Sequence, residues 1–152
     1  LLDGGSSSDF LCLTNGLALQ SLDKHVIVHG VISDLPALMK EVDVFLAPFL
    51  DAKSRLPKAD CPLSILEAMA AGRAVISTKF GAACEIIQDS LTGLLIEPND
   101  SEALSGAIIR LLLHPEEMRR MGRNASGFVG ENFSPDHLVR MTLSSYERVL
   151  KR

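Results

Sequence analysis

The residues with the most chemical potential sit together in Pro62-Leu63-Ser64-Ile65-Leu66-Glu67-Ala68-Met69-Ala70-Ala71-Gly72. A stretch of charged and turn-forming residues, 49–62, leads into a predicted compact helix over 63–71 that ends at Gly72. The first amides of a helix have no carbonyl partner inside it, and they lie at the positive end of its dipole. A diphosphate is a natural guest of such an end. Glu67 follows Leu63 by four residues, one turn further in. A carboxylate there can accept two hydroxyl hydrogen bonds, as from a ribose. The same pattern suits a surface glutamate or one that caps a neighbouring loop, so the residues alone leave both roles open.

The elements that must position this stretch are short and alternate in type. Residues 11–22 carry leucines at helical spacing. Val26-Ile27-Val28-His29 is a β-branched run before Gly30 and reads as a buried strand. Ser33-Asp34-Leu35-Pro36 opens a helix with Leu35, Leu38, Met39 and Val42 on one face. Val44-Phe45-Leu46-Ala47 is a second strand, stopped by Pro48. Ala74-Val75-Ile76-Ser77-Thr78 is a third, followed by Gly81 and a short helix over 82–87. Leu94-Leu95-Ile96 is a fourth. Asn99 with Glu102 has the spacing of a capping box for the next helix. Pro115 starts another, with Glu116 and Glu117 in its first turn. Ser134-Pro135 starts the last, with Leu138, Met141, Ser145 and Val149 on one face.

Apolar strands alternating with helices predict an α/β fold, a Rossmann-like, doubly wound and mainly parallel sheet. Ligands of such sheets sit beyond the strand carboxyl ends. That rule predicts one shared rim for Gly30-Val31, residues 48–62 and residues 78–85.

Bulk properties narrow the class. The 152 residues fit one domain, 1–152, with 47% hydrophobic and 22% charged residues, which is globular rather than disordered. A net charge of −4 and the lack of a basic stripe argue against nucleic acid as a partner. Cys12, Cys61 and Cys84 are odd in number and widely spaced, which predicts free thiols in a reducing cytoplasm. The four histidines lack metal-ligand spacing, and no acidic metal cluster is visible, so no metal cofactor is expected. No apolar run reaches the ~18 residues of a membrane span. Leu1-Leu2-Asp3-Gly4-Gly5 reads as the tail of a strand entering a glycine turn, so the chain is expected to begin inside a fold.

Several motifs, in order, resemble the C-terminal, nucleotide-sugar-binding domain of the large family 4 group of retaining glycosyltransferases, which have the two-domain GT-B fold. They run from about residue 26 to the end. They include Val28-His29-Gly30-Val31-Ile32-Ser33-Asp34-Leu35-Pro36, Asp43-Val44-Phe45-Leu46-Ala47-Pro48, and the most specific one, Leu66-Glu67-Ala68-Met69-Ala70-Ala71-Gly72-Arg73-Ala74-Val75-Ile76-Ser77-Thr78. Gly81 through Glu85, Thr92-Gly93-Leu94-Leu95-Ile96 and Pro98-Asn99-Asp100 continue the pattern.

The resemblance implies a site. Gly30 and Val31 would lie against the base of a nucleotide sugar. Glu67 would hold the ribose hydroxyls. Leu63, Ser64 and Ile65 would offer amides to the diphosphate, with the Ser64 hydroxyl as an added donor. The family pattern places two glutamates with seven residues between them; here Ala59 stands where the first is expected. Asp60 is adjacent but out of register, and Lys58 is the cation nearest the helix start, so these two are the candidates for the catalytic side of the site. The Arg and Lys that related enzymes place earlier in this domain would precede Leu1, as would an acceptor-binding N-terminal domain. The resemblance therefore implies transfer of a glycosyl group from a nucleotide sugar in a cytoplasmic enzyme, with a peripheral membrane contact in the intact protein, and no turnover by this polypeptide alone. A nucleotide-sugar epimerase of the same fold and a non-catalytic binding module are the alternatives.

Overall fold

A computed structural model describes residues 24–27, 29, 32–49 and 63–150. The chain divides into two units, 1–35 and 36–152. In the first unit, Val26, Ile27 and His29 belong to no strand, and Val26 and Ile27 are 40% and 81% exposed. The buried strand expected there is thus not found among the described residues. A β-branched run states a preference for a pleated surface; a ladder partner is what makes a strand.

The second unit holds a parallel sheet of β1 (Val44–Ala47), β2 (Ala74–Thr78) and β3 (Leu94–Ile96), in that spatial order. Leu46, Ile76 and Leu94 lie in register across it. The helices are α1 (Leu35–Glu41), α2 (Leu63–Ala70), α3 (Ala83–Ile86), α4 (Ser101–Leu113), α5 (Pro115–Asn132) and α6 (Pro135–Leu150). All five residues of β2 are buried. Side chains alternate across a strand, so this central strand is covered on both faces. Ala74 and Ile76 join Leu94, Leu111 and Met121 in one core, with Leu104, Ala107 and Ile108 of α4 and Met118 of α5 packed on it. Val75 and Ser77 point to the opposite face and are fully buried as well. α2 meets both β1 and β2, and α5. This is the doubly covered parallel layer that the strand–helix alternation predicts.

The turn from α2 to β2 is closed by the chain itself. Gly72 has φ +72°, Gly72 N–H donates to Met69 O (2.9 Å), and Arg73 N–H donates to Ala68 O (3.0 Å). This paired closure uses the left-handed glycine just past the helix. Arg73 also donates through its guanidinium to Ala71 O (3.0 Å) and to Val42 O beyond α1 (3.1 Å). α5 crosses this turn so closely that a Cβ on Gly122 would lie 2.1 Å from Gly72 O. Ser126 Oγ adds a hydrogen bond to Ala70 O (3.1 Å).

The start of α4 differs from the predicted capping box. Asn99 has φ +63° and lies in the turn. The cap is Asp100, whose side chain accepts from Ala103 N–H (2.8 Å). Asn tolerates the left-handed region better than most residues, so Asn99 turns the chain and the carboxylate one position later meets the free amide.

Candidate functional site

β1 and β2 deliver their carboxyl ends side by side, and two buried hydroxyls fix them there. Ser77 Oγ donates to Ala47 O (2.8 Å), and Thr78 Oγ1 donates to Phe49 O (2.8 Å). A hydroxyl sealed in a core must find an acceptor. These two find the last carbonyls of the neighbouring strand and its exit. The path of the chain as it leaves β1 is thereby pinned to the end of β2. Pro48, Phe49 and Thr78 do share one rim, as expected. They line a hollow of about 280 Å³ whose other wall is Ile96, Glu97 and the 99–104 segment. That second wall was not singled out in the sequence. Its signal was the Pro98-Asn99-Asp100 turn after β3, which the strand-end rule also covers.

α2 begins beyond this rim. In a helix that starts at Leu63, the amides of Leu63, Ser64 and Ile65 have no acceptor within the helix. The Leu63 side chain is 70% exposed and Ser64 is half-buried, so described side chains do not cover this end. Ile65 points inward and is fully buried with Ala68 and Met69, which fixes the rotation of the helix. Glu67, two residues beyond the Ile65 anchor, is exposed, and its carboxylate has no hydrogen-bond or ion-pair partner among the described residues. Its backbone carbonyl accepts from Ala71 N–H (3.0 Å), within the helical ladder. The structure thus brings Leu63, Ser64, Ile65 and Glu67 onto one short helix. Gly30, Val31, Lys58, Ala59 and Asp60 lie outside the described residues, as does the predicted helix over 11–22.

Lys79, the first residue after β2, pairs with Glu97 (Nζ to Oε1, 2.6 Å), which follows β3. The hydrogen bond and charge of Glu97 raise the Lys79 pKa. Cys84 is an exposed free thiol. Among the described residues, no group of three His, Cys, Asp or Glu side chains could hold a metal ion, and no helix is long and apolar enough to cross a membrane.

The fold defines a class, the C-terminal domain of a GT-B-type glycosyltransferase. HepE from Anabaena, in a structure with UDP-glucose, superposes with a TM-score of 0.75 at 25% identity, covering 92% of this chain and 38% of that one. The C-terminal domain of the group 1 glycosyltransferase LpcC from Francisella tularensis gives 0.71 at 27% identity, covering 85% of this chain and 64% of that one. The family model described as glycosyl transferases group 1 matches residues 7–114, and the chain belongs to that family. MMP alpha-(1->4)-mannosyltransferase from Mycolicibacterium hassiacum is 31% identical over 120 residues, 78% of this chain. The putative glycosyltransferase YtcC from Bacillus subtilis is 30% identical over 148 residues, 95% of this chain. The chain spans 28% and 35% of the lengths of those two relatives.

Proposed function

We propose that this domain binds the nucleoside diphosphate of a sugar donor, and that the intact enzyme moves the sugar, with retention, to an acceptor held by an N-terminal domain. The observation that carries the reading is the start of α2, which no described side chain covers, with Glu67 one turn in. Three amides without an acceptor in the helix, and the helix dipole, suit a diphosphate. A carboxylate one helical turn in, with no partner among the described residues, suits the two hydroxyls of a ribose. Donors fixed in advance around a departing diphosphate stabilise the charge that grows on it as the glycosidic bond breaks. In this reading, Lys58 supplies a cation at the same end, Asp60 lies toward the donor sugar, Gly30 and Val31 pack on the base, and no metal is required. The complexes of HepE with UDP and with UDP-glucose support this assignment by analogy.

One observation favours a second reading, a nucleotide-sugar-binding module without transfer activity. Ala59 stands where the family pattern has its first glutamate, and alanine cannot hydrogen-bond a donor sugar.

Calorimetry with UDP-, GDP- and ADP-sugars tests the binding step. One nucleotide is expected to bind, and Glu67→Ala is expected to lower its affinity tenfold to a hundredfold. That range corresponds to about 1.5–3 kcal/mol for hydrogen bonds to a charged group. Equal affinity in the two proteins would remove Glu67 from the site. Transfer or donor hydrolysis after fusion to an N-terminal domain of a relative separates an enzyme from a binding module.

A further inference from the structure

None of the 16 residues of α6 is buried. The apolar side chains expected on one of its faces, among them Leu138 and Val149, are exposed. So are Val139, Leu143, Tyr146 and Leu150, at 55% to 85%. Most of a helix's stability in a protein comes from packing on an apolar face, and here no described residue supplies it. Val139, Leu143, Tyr146 and Leu150 follow one another at spacings of four, three and four. That is the spacing of a coiled-coil seam, and no charged side chain falls within it.

The edges of this seam specify what fits it. One edge carries Arg140 and Glu147, each the residue after a seam position. They stand roughly 10 Å apart along the helix, too far to pair with each other. Neither has an ion-pair partner among the described residues. The other edge carries Thr142 and Val149 and no charge. Thr142 Oγ1 already donates to Leu138 O (2.8 Å), so covering it leaves no unpaired hydroxyl.

In two antiparallel helices related by a two-fold axis, a residue early in one copy faces a residue late in the other. Leu143 then lies beside Tyr146 of the second copy, and Val139 beside its Leu150. The same register brings Arg140 of each copy to Glu147 of the other, twice over. Opposite charges along one edge thus make the surface complementary to itself. A strongly charged partner finds no such match, because α6 carries Asp136 and Glu147 against Arg140 and Arg148.

We propose that the chain forms a two-fold symmetric dimer through α6, with antiparallel helices that share this seam and exchange Arg140–Glu147 pairs. The helices are about 24 Å long, so the contact is smaller than a standard interface and the dimer is weak. The proposal does not depend on the donor site at α2.

Analytical ultracentrifugation of the whole chain from about 5 to 500 µM tests it, since assembly follows mass action. The mass should rise from monomer toward dimer. Arg140→Glu and Glu147→Arg each set like charges against one another at two places, and each should weaken the dimer roughly tenfold. Mixing these two single variants should restore association, because attractive pairs then form only between unlike copies. Leu143→Ser should weaken it without changing charge. Circular dichroism should show every variant folded, because these side chains lie outside the core. A monomer at every concentration, a dimer indifferent to both charge variants, or single variants that stay apart when mixed overturns the proposal. Displacement of the dimer by the N-terminal domain of a relative would assign the face to another part of the enzyme and overturn it as well.

Discussion

The two ends of α2 are opposites, although only seven peptide units separate them. At the carboxyl end the chain satisfies its own backbone. Gly72 and Arg73 close the last turn, Arg73 reaches Val42 O, and α5 presses Gly122 against Gly72. At the amino end, three amides have no helical acceptor, Leu63 is exposed, and the Glu67 carboxylate has no partner among the described residues. Polar groups that face solvent bond water and can exchange it for a ligand, whereas unpaired ones that are buried carry a destabilising cost. The helix is therefore anchored at its carboxyl end, whereas no described side chain covers its amino end.

The sharpest way to break this comparison is to damage the anchored end. Gly122→Ala places a methyl group against backbone that has no rotamer to yield. It is expected to cost about 3 kcal/mol, or roughly 10 °C in melting temperature for a chain of this length. Glu67→Ala, at the amino end, should leave the stability within about 0.5 kcal/mol of the parent, so a loss of nucleotide binding reads as loss of a contact. A large thermal shift for Glu67→Ala would mean that the carboxylate holds the fold.

Smaller effects sharpen the picture. Gly72→Ala forces a side chain into the left-handed region and should cost about 1–2 kcal/mol by chemical denaturation. There is space for the methyl group, with Gly122 O at 3.8 Å from it, so Gly72→Asn should recover part of the loss. Asp100→Ala removes the cap of α4 and should cost about 1 kcal/mol, whereas Glu102→Ala should be nearly silent. The reverse order would restore the capping box with Asn99.

The smallest effect is electrostatic. Arg110 holds the Glu117 carboxyl below its ordinary pKa of 4.5, chiefly through their hydrogen bond. A carboxyl with a lowered pKa in the folded state adds stability above its unfolded pKa and loses it as pH falls through the folded one. Glu117→Gln should thus melt slightly below the parent at pH 7, and the gap should close as pH falls through the lowered pKa of Glu117. The pair lies at the surface, where such contributions are small and salt-sensitive.

Much of the frame was legible in the chain. Three of the four apolar runs became parallel strands, because β2 needs apolar residues on both faces and the sequence supplies them consecutively. Pro115, Pro135 and Gly72 marked helix ends because each restricts or frees one backbone angle. Leu63 through Glu67 emerged as the start of a helix for the same local reasons. The Val26 run misled because strand pairing is a relation between segments, and residue types state only a preference. Asn99 misled because its side chain suits both a cap and a left-handed turn.

Residue types and spacing by themselves determined the order of elements, the apolar faces and the position of the chemically capable helix start, since these follow from backbone preferences and periodicity over a few residues. Tertiary structure alone decided which of the helical glycines is crowded. Gly106, Gly122, Gly127 and Gly130 all lie inside helices, yet an added Cβ meets atoms within 4 Å only at Gly122. It also decided that Ser77 and Thr78 tie β1 to β2, and that Leu113 at the end of α4 shares a hollow with Arg120 and Arg123 of α5. Each is a meeting of separate elements, fixed by packing across the fold, and no local pattern encodes it.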